Sequence, residues 1–107
     1  MYRYTVRCEF CQEDALETVN RWLNWLREPH IAEVMQGGAT AAEVVKMSAK
    51  VPTYEIRYQF ASRQEFEQYQ SESAPRLKAE GLQLFPPEAL GMVYSRTDGE
   101  VIFRCKR

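Results

Sequence analysis

Nowhere in this chain do about 18 apolar residues follow one another, so no helix that spans a membrane is expected. The opening Met1-Tyr2-Arg3-Tyr4-Thr5-Val6-Arg7 alternates polar and apolar residues where a secretory signal needs an unbroken apolar stretch. An excess of charge of one sign is also missing. Fourteen basic side chains against 15 acidic ones leave a net charge of -1, too little to draw the molecule to phosphate backbones or anionic lipid, so neither nucleic acid nor membrane is an expected partner. There is no glycine-rich phosphate loop, serine elbow or metal-protease signature, and no cofactor is called for. Cysteine is scarce and odd in number at three, which points to reduced thiols and a cytoplasmic location over a disulfide scaffold.

What is present describes one folded domain over residues 1–107. That length suffices for one hydrophobic core, and 45% hydrophobic with 27% charged residues is an ordinary globular composition. Tyr2, Tyr4, Val6, Cys8 and Phe10 alternate with Arg3, Thr5, Arg7 and Glu9, the pattern of a half-buried strand. From Asp14 the period lengthens. Leu16, Val19, Leu23 and Leu26 form a helical stripe that Trp22 and Trp25 widen, with Asp14 as its expected cap and Glu17 three residues on. Pro29 opens a short second helix through Ile31, Val34 and Met35, which Gly37-Gly38 ends. A strand is expected within Ala39 to Val51, and a stronger one from Thr53 to Ala61, where Tyr54, Ile56, Tyr58 and Phe60 face inward. Ser62 and Glu65 have capping-box spacing ahead of a helix that Pro75 interrupts or restarts. Leu90 to Thr97 and Glu100 to Arg104 flank Asp98-Gly99, which suits a tight hairpin turn.

The resulting order is the α+β, ferredoxin-like β-α-β-β-α-β plan: an antiparallel sheet with helices on one face, extended by a C-terminal hairpin strand. The opposite face would be bare. Its charged residues could meet water, but Met92-Val93-Tyr94 and Val101-Ile102-Phe103 put apolar groups on both sides of the last hairpin, and a second copy of the chain would cover them. A homodimer is therefore expected.

Few groups offer chemistry. Cys8 and Cys11 have the spacing of a dithiol or a zinc pair, with Cys105 and His30 to complete four ligands, but Cys8 faces inward and an offset of three sends Cys11 the other way, so no metal site is assigned. His30, the one histidine, is the candidate general acid or base. Trp25, at the edge of its stripe, suits a pocket wall or a subunit contact. Arg3, Arg7 and Arg57 share the non-helical sheet face and are candidates for holding an anionic ligand.

The run Trp22-Leu23-Asn24-Trp25-Leu26, then His30-Ile31 and Glu33-Val34-Met35 with Gly38 behind, resembles a small bacterial family of uncharacterised proteins in the dimeric α+β barrel superfamily. Tyr69 to Phe85, with Ala74-Pro75-Arg76-Leu77 and Glu80, resembles the second half of that family. The resemblance implies a ferredoxin-like protomer that dimerises through its sheets. It implies no established activity, although His30 matches the family's histidine position. Related branches include cofactor-independent monooxygenases, isomerising enzymes and binding proteins. Three functions follow as expectations: a dimeric domain binding a small polar or anionic molecule between sheet and helices, a monooxygenase- or isomerase-like enzyme using His30, or a structural module that binds a partner.

Overall fold

The computed structural model describes all 107 residues. Strand β1 (Tyr2–Phe10) is followed by α1 (Leu16–Trp25), a π-helical turn (Leu26–His30), α2 (Ile31–Gln36), β2 (Ala41–Lys46), β3 (Thr53–Phe60), α3 (Arg63–Glu72), α4 (Ala74–Leu84), α5 (Pro87–Leu90) and β4 (Met92–Glu100). The four strands form one antiparallel sheet in the order β2-β3-β1-β4. The strands adjacent in sequence, β1 and β2, are thus separated by β3, the arrangement of a ferredoxin-like fold. No helix is long and apolar enough to cross a membrane.

Alternation along β1 and β3 gives the sheet two unlike faces. Tyr2, Tyr4, Val6, Cys8 and Phe10 of β1, with Tyr54, Ile56, Tyr58 and Phe60 of β3, are buried beneath the helices. The helices meet them with Val19, Trp22, Leu26, Val34, Phe66, Tyr69 and Leu77 in one contiguous core. Trp22, fully buried, packs edge-on to Phe10 at 5.2 Å, and Phe60 packs edge-on to Phe66 at 5.3 Å, geometries favoured by the ring quadrupoles. The other face carries Arg3, Arg7, Glu9, Glu55, Arg57 and Gln59, and at its end Arg104, beyond β4, donates to the Gln59 side chain at 3.0 Å. Glu55 accepts hydrogen bonds from Arg57 and Arg7, which hold its carboxyl below the usual carboxylate range.

Local signals place several boundaries. The Ser62 hydroxyl accepts from the Glu65 amide, so the capping box forms as its spacing indicates. Pro75 sits in the first turn of α4, where its missing N–H leaves nothing unsatisfied. Gly91 ends α5 in the left-handed region at φ 64°, where an added Cβ would come within 2.6 Å of Gln12.

Three expectations are corrected. Asp14 does not cap α1: it takes a left-handed backbone at φ 57°, which a short polar side chain tolerates, and the helix begins two residues later without a side-chain cap. The buried stripe of α1 is Val19, Trp22 and Leu26, turned away from Leu16, which is 72% exposed. The C-terminal hairpin does not form. Asp98 and Gly99 lie within β4, opposite Tyr4 and Arg3 of β1, and Asp98 accepts a hydrogen bond from the Tyr2 hydroxyl. A turn at Asp98-Gly99 would leave the first residues of β1 without a partner on that side, so pairing along all nine residues of β1 overrides the local turn preference. Beyond it, Ile102 and Phe103 are exposed.

That correction is testable. A Cβ added at Gly99 has nothing within 4 Å, and a β-branched side chain in a strand is favoured over glycine, so Gly99→Thr is expected to leave stability unchanged or raise it by up to about 1 kcal/mol in urea unfolding. A hairpin turn at this position would make the same substitution destabilising by about 1 kcal/mol or more.

Candidate functional site

Large aromatic side chains on a flat sheet leave unfilled space where the helices above diverge. Here the space is a narrow cavity of about 60 Å³ between the sheet and the helices, open to solvent at one end. Tyr4, Val6, Ile56, Tyr58, Tyr94 and Arg96 form its floor. Trp22, Trp25, Leu26 and His30 wall one side, and Tyr69 of α3 with Leu77, Lys78, Gly81 and Leu82 of α4 the other.

The chain's punctuation builds the His30 wall. Glu28, the residue before Pro29, leaves helical geometry at φ -157°, ψ 115°, as steric conflict with the proline ring favours. The resulting kink redirects the chain from α1 into α2 and brings His30 back against Trp25, their rings stacked with centroids 4.1 Å apart and planes at 22°. Trp25 also leans on Phe85 at 5.5 Å and lies over Gly81, where an added Cβ would stand 3.1 Å from the indole. Glycine in the middle of α4 weakens that helix, yet here it makes room for the indole that lines the cavity.

The electrostatics of the lining are one-sided, because no aspartate or glutamate is part of it. Burial pushes the His30 pKa down to about 4, opposed only weakly by Glu33, so its imidazole is neutral at pH 7. Burial pushes the Tyr69 phenol up to about 12 and raises Tyr4, Tyr58 and Tyr94 as well. All four phenols therefore remain protonated hydrogen-bond donors. The Trp22 indole N–H donates to the Tyr94 hydroxyl at 3.0 Å. The Tyr58 hydroxyl is buried and has no partner. At the mouth stand two cations, Lys78 and Arg96, and neither joins any of the chain's ion pairs. The Arg96 guanidinium lies over the Tyr94 ring at 5.2 Å. Partial burial and the nearby Arg96 charge lower the Lys78 pKa, the mark of two like charges sharing a site without a counter-ion.

The residues singled out in the sequence thus separate into two groups. His30 and Trp25 come together in the cavity wall. Arg3, Arg7 and Arg57 lie on the opposite sheet face, where Arg3 and Arg57 border a groove of about 270 Å³ with Glu43 and Gln59, and Arg7 and Arg57 are tied to Glu55. Cys8 is buried beneath the helices with its thiol pushed up to about 12 by burial, whereas Cys11 and Cys105 are exposed. No three His, Cys, Asp or Glu side chains are grouped to hold a metal ion. The sequence reading missed Lys78, Arg96 and Tyr58 as site residues. Arg96 shares the strand parity of buried Met92 and half-buried Tyr94, a signal already available within the strand expected over Leu90 to Thr97.

Residues 1–95 match the family described as Domain of unknown function (DUF4286). The chain belongs to that family. None of the curated proteins compared matches this DUF4286 sequence significantly. Solved structures match its fold throughout. A dimeric ferredoxin-like protein from an uncultured marine organism superposes with a TM-score of 0.70 at 15% identity, covering 100% of both chains. HapK from Hahella chejuensis gives 0.66 at 15% identity, over 100% of this chain and 98% of that one. A mutant of SnoaB, a cofactor-independent oxygenase from Streptomyces nogalater, gives 0.63 at 10% identity, over 99% and 98%. At these identities the likeness establishes the ferredoxin-like fold of the DUF4286 chain and nothing finer.

The burial of His30 has a measurable signature, and as the one histidine it can be followed without ambiguity. Its folded pKa lies below the unfolded value of about 6.5, so between the two the unfolded chain holds the extra proton, and stability falls as the pH drops from about 6.5 toward about 4. Proton NMR of the imidazole in the folded protein is expected to show a midpoint near 4, and His30→Gln to flatten the loss of stability across that window. A midpoint near the ordinary histidine value of about 6.5 would place the imidazole in water.

Proposed function

We propose that this protein binds a small, flat organic anion, such as an aromatic carboxylate, in the cavity between its sheet and its helices. The observation that carries this reading is the pairing of a mostly apolar, aromatic lining with two cations, Lys78 and Arg96, that have no carboxylate to neutralise them. A flat apolar body gains from leaving water against Trp22, Trp25 and the tyrosine rings. An anionic group at its outer end receives charge-assisted hydrogen bonds from the arginine fork and the lysine. The arginines of the open sheet face are a weaker choice for the anion, since Arg7 and Arg57 already serve Glu55.

The same reading makes the working form a homodimer in the cytoplasm. Two of the similar solved structures are described as dimeric ferredoxin-like proteins. The charged sheet face turned away from the helices, with Val93 54% exposed at its edge, supports pairing through the sheets. Three free thiols fit a reducing compartment.

A second reading has its own support: a cofactor-independent enzyme in which His30 takes a proton from an aromatic substrate. His30 opens into a mostly apolar cavity, and one protein of this fold is a cofactor-independent oxygenase. A base with a pKa near 4 is a weak one at neutral pH, which ranks this reading below binding. Oxygen uptake with electron-rich phenols that disappears in His30→Ala would reverse the order.

Titration calorimetry tests the binding proposal with 2-naphthoate and the uncharged 2-naphthalenemethanol. The wild type is expected to prefer the carboxylate. Lys78→Met and Arg96→Met should each weaken the carboxylate about tenfold and leave the alcohol unchanged. Equal affinity for both probes, or an effect of Arg57→Met matching that of Arg96→Met, would remove the proposal.

A further inference from the structure

We infer that the ligand carries a second polar group, a hydrogen-bonding oxygen at the end remote from its anion, and that the Tyr58 hydroxyl receives it. This inference deepens the binding reading and rests on it.

The Tyr58 hydroxyl is the one side-chain oxygen or nitrogen sealed from solvent that has no hydrogen-bond partner. Elsewhere the fold satisfies such groups: the hydroxyl of fully buried Thr53 donates to the Val51 carbonyl at 2.9 Å, and Tyr94 serves the Trp22 indole at 3.0 Å. A buried hydroxyl left unpaired costs stability, and native folds rarely keep one without a use. Tyr58 is 2% exposed and lines the cavity beneath the helices, so the partner it lacks can reach it through that space. As a neutral phenol it can both donate and accept, which suits a carbonyl, a hydroxyl or an ether oxygen.

The sheet sets how the two polar ends are spaced. Tyr58 on β3 pairs with Tyr4 on β1, and Val6 of β1 pairs with both Ile56 of β3 and Arg96 of β4. Tyr58 and Arg96 therefore stand two strands apart, about 10 Å across the sheet, with apolar and aromatic side chains between them. A molecule that meets both has an elongated aromatic body, an anion at the mouth and an oxygen at the inner end. Hydroxyaryl and oxoaryl carboxylates are the chemical class with this layout.

The test compares 6-hydroxy-2-naphthoate with 2-naphthoate by titration calorimetry on wild type and Tyr58→Phe. Wild type is expected to bind the hydroxylated probe roughly 2- to 10-fold more tightly, the increment of one neutral hydrogen bond. Tyr58→Phe is expected to abolish that preference, and to melt at or above the wild-type temperature, because the hydroxyl it loses has no partner in the fold. Wild type that binds both probes equally overturns the inference and leaves the binding reading standing. So does a preference that survives in Tyr58→Phe, or a variant that melts several degrees lower and so reveals a hydroxyl already satisfied. Failure of both probes to bind removes the parent reading, and this one with it.

Discussion

The strict alternation of side chains in β1 and β3 is the constraint from which the rest of the molecule follows. It puts Tyr2, Tyr4, Val6, Cys8, Phe10, Tyr54, Ile56, Tyr58 and Phe60 on one side of the sheet and the charged residues of both strands on the other. A one-residue slip of either strand would exchange the two sets, so the register is firmly held. An aromatic face of this size must be covered, and α1 to α4 cover it. A cavity nevertheless remains beneath the helices, where Trp25 lies against Gly81. The site is thus a by-product of the same pattern that makes the core.

Charge divides along the same plane. On the open face, positive and negative groups answer each other: Glu55 lies between Arg7 and Arg57 at 3.0 and 2.9 Å. On the helix side the cavity has cations at its mouth, neutral phenols and a neutral imidazole within, and no carboxylate in its lining. Apolar walls exclude water and strengthen every electrostatic contact made there. On the proposed reading, the unbalanced positive mouth of such a cavity favours an anion, whereas the open face, with Glu55 neutralising Arg7 and Arg57, suits burial against a like surface. Two sheet faces with different electrostatics support two different roles, ligand capture within the protomer and contact between protomers.

Much of this was legible in the sequence because it is local. Period-two runs marked β1 and β3, Ser62 and Glu65 marked the start of α3, Pro75 its restart as α4, and Gly37-Gly38 the end of α2. The strand between Ala39 and Val51 was legible in kind but runs only from Ala41 to Lys46. The last strand was misread for a non-local reason: Asp98-Gly99 prefers a turn by itself, and pairing with the far end of β1 decides otherwise. Arg96 lay inside the strand expected over Leu90 to Thr97, with the parity of Met92 and Tyr94, and was overlooked there because the apolar residues of that segment drew attention to the dimer contact. The arginines Arg3, Arg7 and Arg57 were recognised as sharing a face, and their parity already set that face away from the helices. Their promise as a binding set for a ligand lying beneath the helices therefore conflicted with the alternation that defined them. His30 and Trp25 are five residues apart, not a spacing that stacks side chains on a regular helix, and only the kink at Glu28-Pro29 brings their rings together.

Which face of the sheet receives the ligand is the question on which the account stands. Amide and indole chemical shifts of isotope-labelled protein titrated with 2-naphthoate answer it directly. Capture beneath the helices moves the Trp22 and Trp25 indole signals with the amides of Gly81 and Arg96, leaving Arg3, Arg57 and Gln59 in place. Shifts gathered on Arg3, Arg57 and Gln59, with the two indoles still, would contradict it.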